Sequence, residues 1–138
     1  MALNVEIKAK CQHPEKIRRI LISQGAKFKG VDHQVDTYFR VAHGRLKLRD
    51  GNIEKNLIQY QRNNQAGPKS SHFQLFPVED SHRLKSLLEA ANGILTVVDK
   101  KREIYFIDNV KFHVDEVKDL GSFVEIEAGD LFLSLIHI

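Results

Sequence analysis

The residues of this 138-residue chain that could do chemistry are charged, and they recur at every second position. Near the N-terminus Asn4, Glu6, Lys8 and Lys10 share one parity, with Val5, Ile7 and Ala9 between them. Arg45, Lys47 and Arg49 alternate with Leu46 and Leu48, and Lys100 shares a parity with Arg102. Lys111, His113 and Asp115 alternate with Val110, Phe112 and Val114; Glu125 and Glu127 share a parity with Phe123, opposite Val124 and Ile126. Side chains alternate between the two faces of a strand, so each set shares one face, and all but the Lys100–Arg102 set are opposed by apolar residues. Two readings are open. In one, these are the solvated faces of a half-exposed antiparallel sheet. The other starts from their segregation, with three segments carrying nearly all the cations and two carrying spaced carboxylates. If the sheet curls with the charged faces inward, its interior is a cationic channel with a carboxylate cluster. Such a channel suits a polyanion and a divalent metal: Arg and Lys pair with phosphate oxygens, and carboxylates are hard oxygen ligands for magnesium, which bridges phosphates.

The elements that must position these residues are mostly strands. Alternation predicts strands over 3–10, 34–41, 44–50, 56–62, 71–76, 100–107, 110–117 and 122–128. Turn residues separate them at Asp50-Gly51-Asn52, Asn63 to Pro68, Asp108-Asn109 and Asp119-Leu120-Gly121. Asp108-Asn109 parts two strand patterns by two residues, a hairpin signal. Two short amphipathic helices are expected. One opens at Pro14, carries Ile17, Ile20 and Leu21, and stops at Gly25; the other is capped by Asp80-Ser81, carries Leu84, Leu87, Leu88 and Ala91, and ends at Gly93. The expected fold is α+β: one antiparallel β domain with both helices packed on the outside.

Composition narrows the function classes. With 42% hydrophobic and 28% charged residues, the chain has the make-up of one soluble domain. One cysteine, Cys11, excludes an internal disulfide and a CxxC zinc site. The seven histidines show no HxxxH or HExxH spacing, and neither GxxxxGK[ST] nor GxGxxG occurs. No apolar run approaches the roughly 20 residues of a membrane span, and Met1 to Glu6 run straight into a strand pattern without a leader. A cytoplasmic protein with no membrane contact is expected. The net charge of +3 leans toward anionic ligands. Nucleic acid is not implied, because cations alternate with carboxylates and no aromatic stacking ladder is present.

Asn4-Val5-Glu6-Ile7-Lys8 resembles the N-terminal ExExK signature of CYTH proteins, the triphosphate tunnel metalloenzymes. Further segments are similar in the same order: Asp36-Thr37-Tyr38-Phe39, Leu46-Lys47-Leu48-Arg49, Lys100 to Phe106, Val114-Asp115 and Gly121 to Glu127. The likeness covers residues 2 to about 128 and is strongest to the bacterial class IV adenylyl cyclase-like branch. It implies a closed antiparallel β-barrel tunnel with a charged lumen and helices outside. It also implies a metal-dependent enzyme acting on a triphosphate, such as ATP, tripolyphosphate or thiamine triphosphate, by cyclisation or hydrolysis. A homodimer is implied by analogy, and a module that binds triphosphate or polyphosphate without turnover is the alternative. Carried over by position, Glu6, Glu125 and Glu127 would ligate Mg2+ or Mn2+, and Asp115 would assist the metal or a water. Lys8, Lys47, Arg49 and Arg102 would hold phosphates, with Lys8, Arg102 and Asp115 nearest the chemistry. Lys10, Arg45, Lys100, Lys111 and His113 share those faces.

The chain departs from the pattern at three places. Asn4 replaces the first Glu of the signature. Gln61 is expected where the fourth strand usually brings a lysine, with Arg62 on the wrong parity. The family continues after Glu127 with a helix and a basic strand. Here Leu133-Ser134-Leu135-Ile136-His137-Ile138 instead match the translation of a transposon-derived sequencing adapter, CTG TCT CTT ATA CAC ATC. These six residues are read as adapter, and 1–131 as the native-looking part of a single domain. A barrel lacking its last helix and strand would be left open, with an unpaired edge.

Overall fold

The computed structural model describes residues 2–62 and 69–129, with side chains described over 5–61 and 72–128. Eight strands alternate with two helices: β1 (Ala2–Lys10), α1 (Pro14–Ser23), β2 (Lys27–Phe39), β3 (Arg45–Asp50), β4 (Lys55–Arg62), β5 (Lys69–Pro77), α2 (Ser81–Asn92), β6 (Ile94–Ile107), β7 (Val110–Val117) and β8 (Gly121–Gly129). They form a closed antiparallel barrel in the order β1-β5-β4-β3-β2-β6-β7-β8. Closure comes from β1, which pairs with β5 on one side and with β8 on the other. The expected open edge is therefore not found. The adapter-like segment 133–138, the loop 63–68 and the side chain of Asn4 lie outside the described residues.

Helix starts and tight turns follow local chemistry. Pro14 occupies the first turn of α1, where a missing N–H costs nothing. Asp80 caps α2 by accepting a hydrogen bond from the Arg83 amide at 3.0 Å. Asp108 adopts a φ of 51° in the two-residue link between β6 and β7, a conformation that Asp tolerates better than most residues.

Two strands run longer than alternation predicts. β2 begins at Lys27 and β6 at Ile94. The two pair antiparallel along their whole length, from Lys27↔Phe106 to Phe39↔Ile94, so the early half of each lies against the late half of the other, with a bulge between Phe28 and Gly30. Ladder pairing rather than one-sided burial makes these segments strands: Phe28, Val31, Leu95 and Val97 all remain exposed.

The apolar core lies outside the barrel. Leu21 of α1 packs with Tyr105 and Val114, joined by Ile17, Ala26, Ile107 and Phe112. Arg18 of α1 holds Glu103 of β6 through hydrogen bonds of 2.7 to 3.0 Å. Helix α2 lies near β2 and β3 and donates from Asn92 to the Arg40 carbonyl at 3.0 Å. With the apolar faces turned outward under α1, the alternating charged faces are left to line the interior. Among the described residues, no helix is long and apolar enough to cross a membrane.

Candidate functional site

The barrel interior is a charged cavity. Among the described residues, six cations line it: Lys8 (β1), Lys47 and Arg49 (β3), Lys100 and Arg102 (β6) and Lys111 (β7). Glu6, Glu54, Glu125 and Glu127 bring carboxylates to it, and His113 an imidazole. The inward-facing alternative is thus the one the chain adopts. Lys10 and Arg45 continue the right parities but stand at strand ends, exposed and away from the cavity lining.

Strand register places the carboxylates. Glu6 lies directly across from Glu127, and Lys8 across from Glu125, on β1 and β8. His113 of β7 lies across from Glu125 on its other side. One ring nitrogen of His113 and one oxygen from each of Glu125 and Glu127 fall within 4.8 Å of one another. His113 Nδ1 is 3.1 Å from Glu125 Oε1, and its Nε2, although buried, has no hydrogen-bond partner. Burial pushes the His113 ring pKa down; the hydrogen bond with Glu125 opposes this and the Arg102 charge reinforces it. Burial would raise the Glu125 carboxyl, but the His113 hydrogen bond and the Arg102 charge hold it well below the usual range. Two carboxylates with an imidazole nitrogen make a donor set that fits a divalent cation.

Asp115 stands apart from that cluster. It shares the lumen parity, yet it is 1% exposed and spent on Arg102, whose Nε and Nη2 reach its two oxygens at 2.9 and 2.8 Å. Arg102 Nη2 also lies 3.8 Å from Glu125 Oε1. The placement of Asp115 is that of a support for Arg102 rather than of a third acid beside Glu125 and Glu127.

A matching acid stands on β2, between β3 and β6. Asp36, fully buried, accepts from Arg49 Nε and Nη2, both at 2.9 Å, and from Lys100 Nζ at 3.1 Å. Burial opposes ionisation of Asp36, but the Arg49 hydrogen bonds and the Arg49 and Lys100 charges hold its carboxyl far below the usual range. Burial and the neighbouring Arg49 bring Lys47 down to about 7. Burial with Arg102 and Arg49 brings Lys100 down to about 8.

Sequence parity missed Glu54, which belongs to the turn after β3. Asp32 accepts from the Ile53 and Glu54 amides at 2.8 and 3.0 Å and pins that turn. Gly51 fits there because an added Cβ would lie 2.6 Å from Asp32 Oδ1 and from the Glu54 carbonyl. Glu54 then reaches across the lumen. Its Oε1 takes Gln34 Nε2 at 3.0 Å and Arg49 Nη1 at 3.5 Å, and its Oε2 takes Lys111 Nζ of β7 at 3.2 Å. No period governs a turn side chain, so nothing in the sequence marks this residue.

The fourth strand corrects another expectation. Asn56, Ile58 and Tyr60 line the cavity, while Gln61 is exposed and does not. The lumen parity of β4 is the even one; the side chain of Arg62 lies outside the described residues. Tyr38, Phe73 and Leu75 also border the cavity. Lys47 Nζ stands 5.8 Å from the Tyr38 ring and 5.3 Å from the Tyr60 ring, within cation–π reach of both.

The profile of the CYTH domain family matches residues 2–130. Among solved structures, the PH1012 protein of Pyrococcus horikoshii superposes with a TM-score of 0.81 at 27% identity, over 91% of this chain and 77% of that one. A candidate adenylyl cyclase from Hippeastrum, described as having a dominant triphosphatase activity, gives 0.68 at 12% identity, over 99% of this chain and 83% of that one. The Pct1 RNA triphosphatase of Schizosaccharomyces pombe, in complex with the Spt5 CTD, gives 0.55 at 11% identity, over 91% and 70%. Among curated proteins, none matches the chain.

Proposed function

Because the chain belongs to the CYTH domain family, we propose that it is a metal-dependent enzyme that takes a nucleotide or inorganic triphosphate into its barrel and processes it there. One observation carries this reading: six cations and the His113–Glu125–Glu127 donor cluster share one cavity inside a closed barrel. A solvated sheet face would need neither.

Glu125 and Glu127, with Glu6 across from Glu127, would hold Mg2+ or Mn2+. A divalent cation held by these residues would supply Lewis-acid neutralisation of phosphate charge. The chain's own cations do the rest. Lys47, Arg49, Lys100 and Lys111 hold phosphate oxygens along the cavity. Lys8 and Arg102, placed closest to Glu125 by register and by the 3.8 Å contact, counter charge that develops on the transferring and leaving phosphates. Asp115 keeps the Arg102 guanidinium oriented. In hydrolysis a water attacks the terminal phosphorus, the bridging P–O bond breaks and the diphosphate portion leaves; in cyclisation the ribose 3′-hydroxyl attacks the α-phosphorus and pyrophosphate leaves. The same wall of cations serves either, and the end of the nucleotide that enters first decides between them. Asn4 in place of a signature Glu favours a second reading, a module that binds the triphosphate without turning it over.

The deciding experiment offers tripolyphosphate, ATP and thiamine triphosphate to the protein with Mg2+ or Mn2+. Release of phosphate or cyclic AMP above a Glu125→Gln/Glu127→Gln control is the expected result. Binding without release selects the module, and no binding of any triphosphate removes both readings.

A further inference from the structure

Asp36, Asp115 and Glu54 each hold lumen cations, but from different places. Asp36 and Asp115 are buried in the barrel wall and do not border the cavity. Glu54 lines it, with a side chain 15% exposed, and stands outside the His113–Glu125–Glu127 cluster. Its Oε2 accepts from Lys111 Nζ at 3.2 Å, and its Oε1 lies 3.5 Å from Arg49 Nη1. An acid that only braced these cations could stand behind them, as Asp36 does for Arg49. Burial opposes the Glu54 charge, but Lys111 and Arg49 keep the carboxyl at about 2, so it is ionised at neutral pH.

The turn that carries Glu54 is fastened to β2. Asp32, fully buried, accepts from the Ile53 and Glu54 amides. Asn52 accepts from the His33 amide at 2.7 Å and donates to the Val31 carbonyl at 3.2 Å. The Gly51 amide closes the turn on the Glu54 carbonyl at 2.9 Å. A carboxylate on such a support cannot be swept aside with its backbone. Only the side chain can turn, and turning gives up both Lys111 and the Gln34 amide.

A phosphate drawn to Lys111 or to Arg49 Nη1 therefore arrives beside a fixed negative charge, and like charges in a water-poor cavity repel. Lys8, Lys47, Lys100 and Arg102 border the same cavity and make no ion pair with Glu54 among the described residues. Phosphates held by those four escape most of that repulsion. Selective sites combine such a repulsive element with their attractive ones.

We propose that Glu54 is a specificity-determining residue that limits how many phosphates the barrel accepts, because it stands where a further phosphate would meet Lys111 and Arg49. This rests on the reading of the barrel as a triphosphate site and adds an upper limit to it. A short chain is held by the other four cations; a longer one pushes a phosphate against Glu54.

The test measures binding of pyrophosphate, tripolyphosphate and linear pentaphosphate calorimetrically, with Mg2+ present. It compares the full chain with Glu54→Gln, which keeps the shape and removes the charge. The ratio of pentaphosphate to tripolyphosphate affinity is expected to rise roughly tenfold or more in the variant. In Glu54→Gln/Lys111→Met, which also removes the cation, most of that rise should vanish. Glu54→Asp, which withdraws the charge by one methylene, should raise the ratio by less, and it serves in place of the amide if melts show that Glu54→Gln is unfolded. An unchanged ratio overturns the proposal, as does a rise that survives the loss of Lys111. Lower affinity of the variant for every chain length overturns it too, and makes Glu54 a support for the cations. In each of these cases tripolyphosphate binds the wild type, so only this inference falls. No binding of any chain length to the wild type removes the triphosphate reading, and this inference with it.

Discussion

Replacing Arg102 by methionine tests whether the lumen cations rest on acids buried behind them. Arg102 and Asp115 have side chains 3% and 0% exposed and are joined by two hydrogen bonds. Water cannot take over either partner. Removing the guanidinium alone strands the Asp115 carboxylate in the barrel wall, and breaking a buried pair from one side costs about 3–5 kcal/mol. For a domain of this size that corresponds to a drop of roughly 10–20 °C in melting temperature. Removing the second charge as well should recover most of the loss, because a buried pair replaced on both sides is often close to neutral. Arg102→Met/Asp115→Asn is therefore expected within about 1–2 kcal/mol of wild type, the remainder being the imperfectly satisfied amide. Urea unfolding and thermal melts on the two variants measure this directly. A single variant that loses less than about 1 kcal/mol, or a double variant no more stable than the single, refutes the pairing argument. The double variant also separates fold from function. It leaves net charge unchanged yet removes one phosphate-facing cation, so tripolyphosphate affinity should fall tenfold or more while the protein remains folded.

The remaining predictions concern protons. Burial alone would raise the Glu54 carboxyl, but Lys111 and Arg49 bring it from 4.5 down to about 2. A carboxyl depressed in the folded state contributes stability above its unfolded pKa and loses it as pH falls through the folded value, here between about 4.5 and about 2. Glu54→Gln should flatten that acid limb by at most roughly 3 kcal/mol; melts from pH 5 to pH 2.5 with identical slopes in both proteins would sink the claim. Lys47 and Lys100, at about 7 and about 8, are partly neutral at pH 8. Triphosphate binding there should take up protons, seen as a dependence of the calorimetric heat on buffer ionisation enthalpy. The uptake should shrink in Lys47→Arg, whose guanidinium is already charged. No dependence on buffer would refute it.

Which face of β1, β3, β7 and β8 meets the lumen is legible from alternation, because one parity is largely charged and the other largely apolar; β6 carries charge on both, Lys100 and Arg102 against Lys101 and Glu103. The same rule gives out where both parities look alike. In β4 Asn56, Ile58 and Tyr60 oppose Leu57, Gln59 and Gln61, and the mixture hides which set lines the cavity. The early halves of β2 and β6 carry exposed apolar residues and exist through the antiparallel ladder each makes with the late half of the other, a long-range pairing that no local window contains. Parity also cannot separate an acid that meets a ligand from one that holds a cation. Asp36, Asp115 and Glu125 each follow the same every-second-residue pattern. Only register shows Asp36 across from Arg49, Asp115 across from Arg102, and Glu125 across from His113.

That register explains how a small barrel tolerates so much positive charge. Like charges crowded in a dry cavity repel strongly. Of the six cations lining it, four are held by acids of the same barrel: Arg49 and Lys100 by Asp36, Arg102 by Asp115, and Lys111 by Glu54. Lys47 and Lys8 have no ion pair among the described residues; the contacts of Lys47 are the ring faces of Tyr38 and Tyr60, and that of Lys8 is Phe123. Lys47, half-buried beside Arg49 on the same face of β3, eases the repulsion through a pKa brought down to about 7. An entering polyanion removes the reason for that lowering, because it supplies the negative charge the barrel withholds from this residue. The paired cations keep the cavity folded when empty, and the unpaired lysines are where charge neutralisation by the ligand has most to gain.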